Sequence, residues 1–288
     1  MTYTEHFVSA ADGTRLYARD YAPVEDTGLT PAVCLPGLTR NAKDFEALAP
    51  ALAMTRRVLA LDFRGRGKSG WADPATYRPD QEVADTLHVL DHLGIGRFAI
   101  VGTSRGGIVA MVMAARALPR MAGVLFNDIG PKIDIEGLLR IRSYLGVVPQ
   151  LNGWPAAVAA LKATNPGFPN LSEDAWLTFA RRVFRDDNGR PCSDYDPALA
   201  QNFPSAEDIA AGKMPELWAL FDLMADVPST VLRGEHSDLL SEDTLARMQR
   251  QHRSLSAVTV PDRGHVPFLD EPACQQAIAE WLARVDAR

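Results

Sequence analysis

The sequence predicts an α/β fold: a mostly parallel central sheet with helices on both faces and an inserted helical cap. Three observations carry this. Short apolar runs (Ala32–Leu35, Arg57–Asp62, Arg97–Val101, Met121–Phe126) alternate with longer helical patterns, the signature of parallel strands joined by crossover helices. Between Pro131 and Asp226 the rhythm changes to helical pieces separated by Pro and Gly, with no convincing strand. The alternation then resumes to the end of the chain. The expected division is a core domain, 1–130 and 227–288, interrupted by a helical cap at 131–226.

The elements follow in order. Thr4–Ala10 and Thr14–Tyr21 read as a hairpin around the Asp12-Gly13 turn, and Pro23–Thr30 as a loop. Ala32–Leu35 is a buried strand ending at Pro36-Gly37. Asn41 or Thr39 caps a helix over Ala42–Met54, and Arg57–Asp62 is the next strand. A Gly/Arg loop, Asp62–Gly70, leads through Pro74 and Pro79 to a helix at Asp80–Leu93 with Val83, Leu87 and Leu90 on its apolar face. After Met121–Phe126 the expected cap holds helices at Ile135–Leu145, Pro155–Ala163, Ser172–Phe184, Ala206–Ala211 and Pro215–Ala225. Thr230–Arg233 and Ala257–Val260 are strands. Ser241–Gln251 and Glu271–Val285 are helices, the last with Ile278, Trp281, Leu282 and Val285 as its buried stripe.

Composition narrows the function classes. At 288 residues, 47% hydrophobic and 23% charged, the chain suits one large domain or one domain with an insertion. A net charge of −6 without a basic stripe argues against nucleic acid and against an anionic membrane surface. Cys34, Cys192 and Cys274 are scattered and odd in number, with no CxxC, so neither zinc nor a disulfide framework is expected and a reducing cytoplasm is the simplest compartment. The stretch from Met1 to Asp12 has no leader pattern, and no apolar run is long enough to span a bilayer.

The chemistry centres on Gly102-Thr103-Ser104-Arg105-Gly106. A G-x-S-x-G between a strand and a helix is the setting of a nucleophile elbow, where a strained turn exposes a serine beside a helix N-terminus. Serine needs a base, usually a histidine oriented by a carboxylate. Such groups sit on loops at the carboxyl ends of strands. The loop after Thr230–Arg233 offers Asp238, and the loop after Ala257–Val260 offers His265. The order Ser104…Asp238…His265 fits the order this architecture requires. Glu235 and Asp128 compete with Asp238 for the orienting role. Backbone N–H groups of Arg105 and Leu38 are the candidate oxyanion donors. Two other patterns carry less. Gly65-Arg66-Gly67-Lys68-Ser69-Gly70 fits G-x-G-x-x-G but lacks the helix that must open at once, and a P-loop would need glycine where Asp62 stands. His88 and His92 are an i,i+4 pair without a third ligand.

With these residues in view, the chain resembles the α/β-hydrolase family, in its capped branch. The resemblance spans nearly the whole chain and rests on Leu35-Pro36-Gly37, Asp62-Phe63-Arg64-Gly65-Arg66-Gly67-Lys68-Ser69, the elbow, and Gly264-His265-Val266-Pro267-Phe268-Leu269-Asp270-Glu271-Pro272. Pro36 departs from the histidine common before that glycine. The resemblance implies a serine hydrolase that needs no cofactor and no metal. It implies attack by Ser104, proton transfer by His265, and orientation by Asp238. Serine at the nucleophile position argues against haloalkane dehalogenases and epoxide hydrolases. The expected substrate is a small-molecule carboxylic ester or lactone, with Trp154, Phe168, Trp176, Phe203 and Trp218 available to an apolar pocket or to cap packing. Two other readings stand beside it: carbon–carbon bond hydrolysis of vinylogous diketone ring-cleavage products, and a ligand-sensing protein that uses the same closed pocket.

Overall fold

The computed structural model describes residues 2–25 and 27–288. Met1, and Asp26 within the loop read at Pro23–Thr30, lie outside the described residues. The chain begins with an antiparallel hairpin, β1 (Thr4–Ser9) and β2 (Arg15–Tyr21). The alternating part follows: β3 (Ala32–Leu35), α1 (Leu48–Leu52), β4 (Val58–Asp62), α2 (Pro79–His92), β5 (Phe98–Thr103), α3 (Arg105–Ala117) and β6 (Met121–Asn127). The helix expected over Ala42–Met54 is divided. Asn41 caps a single tight turn at Ala42–Phe45, and Pro50, with no N–H to return to the preceding turn, leaves α1 separate.

Residues 131–226 carry α4 (Ile135–Tyr144), α5 (Trp154–Thr164), α6 (Glu173–Val183), a hairpin of β7 (Phe184–Asp187) and β8 (Arg190–Ser193), α7 (Ala206–Ala210) and α8 (Trp218–Asp222). The hairpin corrects the expectation of no strand here. Its turn is Asn188-Gly189, both at positive φ, 52° and 84°, the pairing that matches the twist of two flanking strands. The core then closes with β9 (Ser229–Gly234), α9 (Glu242–Gln251), β10 (Leu255–Val260) and α10 (Pro272–Asp286).

Eight strands form one sheet in the order β1-β2-β4-β3-β5-β6-β9-β10, parallel from β4 to β10 and antiparallel at the β1-β2 edge. Each face has its own core. Val33, Leu35, Leu59 and Ile100 pack with Val83 and Leu90 of α2 and Val109 and Met113 of α3. The intervening Ala32, Cys34, Ala60 and Val101 pack with Ile278 and Trp281 of α10. Burial on both faces explains why these strands read as unbroken apolar runs. The Trp281 indole N–H, fully buried, donates to the Pro228 carbonyl at 3.0 Å and so fixes α10 beneath β9. No helix among the described residues is long and apolar enough to cross a membrane.

Candidate active site

The turn from β5 into α3 bends at Ser104, whose φ of 49° and ψ of −108° are strained for a side-chain-bearing residue. The turn closes only because its flanks are bare. A Cβ on Gly106 would lie 2.1 Å from the Leu35 carbonyl oxygen, and one on Gly102 would lie 2.8 Å from the Gly106 backbone. The Ser104 N–H donates to the Asn127 carbonyl at 3.0 Å, and the Ser104 carbonyl accepts the first bonds of α3. The hydroxyl therefore stands at the head of a helix on a fixed backbone.

His265, on the loop after β10, brings Nε2 to 2.9 Å from Ser104 Oγ. Its Nδ1 lies 2.7 Å from Asp128 Oδ2. This corrects the expectation for Asp238, because the carboxylate that meets His265 is the competitor at the end of β6. Asp128 is fully buried at a φ of 56°, and its Oδ1 accepts the Gly234 N–H at 2.8 Å while Oδ2 also accepts the Ser237 hydroxyl at 2.7 Å. Asp238 is occupied elsewhere. Arg140 of α4 holds both of its oxygens, Nη2 donating to Oδ1 at 2.8 Å. Burial alone would raise the Asp238 pKa, but the Arg140 hydrogen bonds and charge outweigh it and hold the carboxyl below its ordinary value. Glu235 is exposed and accepts the Asp262 N–H at 3.0 Å. Asn127 ties the histidine loop to β6 by donating to the Pro267 carbonyl at 3.0 Å. With Nδ1–H directed at Asp128, Nε2 is free to take the Ser104 proton, the geometry of a general base.

The two candidate oxyanion donors are placed around Ser104. Arg105 begins α3, and Leu38 lies on the loop after β3; the Leu38 and Ser104 side lines a shared cavity. Among the described residues neither backbone N–H has a protein partner. A charged network that the sequence did not reveal supports both. The Arg66 guanidinium, fully buried, donates from Nε to the Leu38 carbonyl at 2.8 Å and from Nη1 to the Arg64 carbonyl at 2.6 Å. Fully buried Glu82 of α2 accepts from Arg105 Nε at 2.6 Å and pairs with Arg66 Nη2 at 2.9 Å. Loss of water pushes the Arg66 pKa down to about 10, despite the Glu82 charge. The G-x-G-x-x-G loop thus holds the Leu38 loop in place through an arginine.

A cavity of about 330 Å³ lies over Ser104 and His265. Residues 131–226 supply much of its wall, including Arg140, Tyr144, Leu161, Phe179, Arg182 and Tyr195. The five aromatic residues singled out in the sequence are not among its lining residues. Phe168 and Trp176 pack in a cluster with Phe179 and Phe268, and Trp218 packs on Phe221 beneath the sheet. One group among the described residues has the donor set for a cation: Glu235, His236 and Asp262, at the surface, with ligand atoms within 4.8 Å of one another.

Comparison with known proteins agrees with this architecture. A family model described as the alpha/beta hydrolase family matches residues 32–275. The chain is 35% identical over 254 residues to the 3-hydroxybutyrate-oligomer hydrolase of Cupriavidus necator, covering 86% of each. It is 26% identical over 248 residues to an esterase of Mycobacterium tuberculosis, covering 83% of this chain and 78% of that protein. A crystal structure of an alpha/beta hydrolase from Novosphingobium aromaticivorans matches 99% of both chains with a TM-score of 0.90 and 40% identity.

Proposed function

The chain belongs to the α/β-hydrolase family, and we propose that it is a serine hydrolase that cleaves a carboxylic ester or lactone of a small to medium organic acid. The observation that carries this reading is the continuous relay from Ser104 Oγ through His265 to Asp128, with links of 2.9 and 2.7 Å, beneath a cavity. In this reading Ser104 attacks the carbonyl while His265 Nε2 takes its proton. The Leu38 and Arg105 N–H groups receive the tetrahedral oxyanion, where donors are worth most because they need no reorganisation. His265 then protonates the departing alcohol, activates a water for attack on the acyl-enzyme, and returns its proton to Ser104. Asp128 stabilises the imidazolium formed in each half. Residues 131–226 act as the cap that shields the acyl-enzyme and shapes the substrate.

The relative from Cupriavidus necator makes short 3-hydroxybutyrate oligomers the first substrates to try. The test is intact-mass measurement after exposure to a fluorophosphonate, followed by turnover assays on those oligomers, simple esters, lactones and ring-cleavage diketones. One adduct on the wild type and none on Ser104→Ala supports the nucleophile. Ester turnover well above that of the diketones supports the substrate class. A folded protein that takes no adduct and turns over nothing overturns the reading.

A further inference from the structure

Three guanidinium groups line the cavity over Ser104: Arg40, Arg140 and Arg182. Two are neutralised. Arg40 forks onto Asp44, Nε donating to Oδ2 at 3.0 Å, and Arg140 forks onto Asp238. Paired donors of this kind have little left for a ligand.

Arg182, near the end of α6, is different. It is 9% exposed, yet its one hydrogen bond is a long one, Nη2 to Asp270 Oδ2 at 3.4 Å. Asp270 is 40% exposed, so water screens that pair. The guanidinium also lies over Phe268, its carbon 5.9 Å from the ring centroid, on the loop that carries His265. Its other N–H groups have no protein partner among the described residues, and none of them is sealed from water. Arg182 itself lines the cavity over Ser104. A guanidinium so enclosed and so weakly paired is a fork held ready for a planar anion.

We propose that Arg182 binds a carboxylate of the substrate, so that the enzyme acts on esters that also carry a free acid group. This rests on the serine-hydrolase reading and adds the second functional group that the substrate must bear. Arg182 makes no hydrogen bond to Ser104, His265 or Asp128 and acts on binding and orientation. The charge it meets stays ionised throughout turnover.

The experiment compares acids with matched neutral esters. Monoethyl glutarate against ethyl pentanoate puts the acid on the acyl side. 3-Acetoxybutyrate against its methyl ester, followed by acetate release, puts it on the alcohol side. The expected wild-type kcat/KM favours the acid in at least one pair by roughly 10-fold or more, as a charge-assisted hydrogen bond allows. In Arg182→Gln that ratio falls by roughly 10- to 100-fold, mainly through KM, and Arg182→Lys recovers part of it. Arg181→Gln, the neighbouring arginine whose side chain stacks on Trp154 away from the cavity wall, leaves the ratio as it is. Protection of Ser104 from the fluorophosphonate by glutarate, lost in Arg182→Gln, reads the same site without turnover. A wild type that takes both members of each pair equally, or a variant that keeps the wild-type ratio and protection, overturns the proposal. Absence of any Ser104 labelling instead overturns the hydrolase reading beneath it.

Discussion

His265 Nδ1 sits 2.7 Å from Asp128 Oδ2, while Asp238, on the neighbouring strand's loop, gives both oxygens to Arg140. Asp128→Asn is therefore expected to lower kcat by about 10³- to 10⁴-fold, because the amide can hold His265 in the wrong tautomer. Asp238→Asn is expected to cost less than about 10-fold, since it removes a partner of Arg140 and not of the base. Steady-state kinetics on both variants, with circular dichroism to confirm folding, would reverse the assignment if the larger loss fell on Asp238.

Ser104→Ala and His265→Ala are each expected to lower kcat by at least ~10⁴-fold. The double variant should be no worse than about 10-fold beyond either one, because the pair acts as a unit. Additive losses in the double variant would contradict a shared proton relay.

Glu82 is the single carboxylate facing two guanidiniums, Arg66 and Arg105. Glu82→Ala leaves both charges enclosed without their partner and is expected to destabilise the protein by about 3–5 kcal/mol. Urea unfolding would measure it. A change below about 1 kcal/mol would mean that the arginines find other partners.

Gly106→Ala puts a methyl carbon 2.1 Å from the Leu35 carbonyl oxygen. Neither atom belongs to a flexible side chain, so α3 must move off β3. The expected cost is about 3 kcal/mol or more, with loss of Ser104 labelling in whatever still folds. Thermal unfolding beside fluorophosphonate labelling would check both halves.

Burial pushes the His252 pKa down from 6.5 to about 4, against the opposing pull of Asp226. The ring packs on Phe221, and its Nδ1 accepts the Ser254 N–H at 3.1 Å. A folded pKa below the unfolded one means that the unfolded chain binds the proton more readily. This contribution to stability is whole above pH 6.5 and is lost as the pH falls toward 4, by on the order of 1–2 kcal/mol. Denaturant midpoints measured across that range should fall in the wild type and flatten in His252→Gln.

What the sequence disclosed and what it hid follow from the range of the forces involved. The elbow could be read because the strand, the bare turn and the helix that make it are consecutive in the chain. The sheet could be read because strands buried on both faces must be apolar. The choice between Asp128 and Asp238 lay beyond local pattern. β6 and β9 are paired neighbours, so both acids leave the same end of the sheet, and bonds distant in sequence, from Gly234 and Ser237 to Asp128 and from Arg140 to Asp238, separate their roles. Arg140 and Arg182 look in sequence like the wet side of amphipathic helices. They line the cavity because their own segment folds back over the core, which no period of 3.6 residues records. The Asn188-Gly189 turn is a local signal, set among helices whose pattern outweighs it.

The segment over the cavity is stitched to the core around residues 194–196. Gly67 N–H donates to the Asp194 carbonyl at 2.8 Å, Asp196 N–H to the Gly65 carbonyl at 2.7 Å, and the Tyr77 hydroxyl to Asp196 at 2.6 Å. Arg66, between those glycines, bridges to Tyr195 through its main chain and grips Leu38 through its side chain. The loop 64–70 is thus a common anchor for the Leu38 loop and for the segment over the cavity, so a change in its conformation reaches two walls of the site at once.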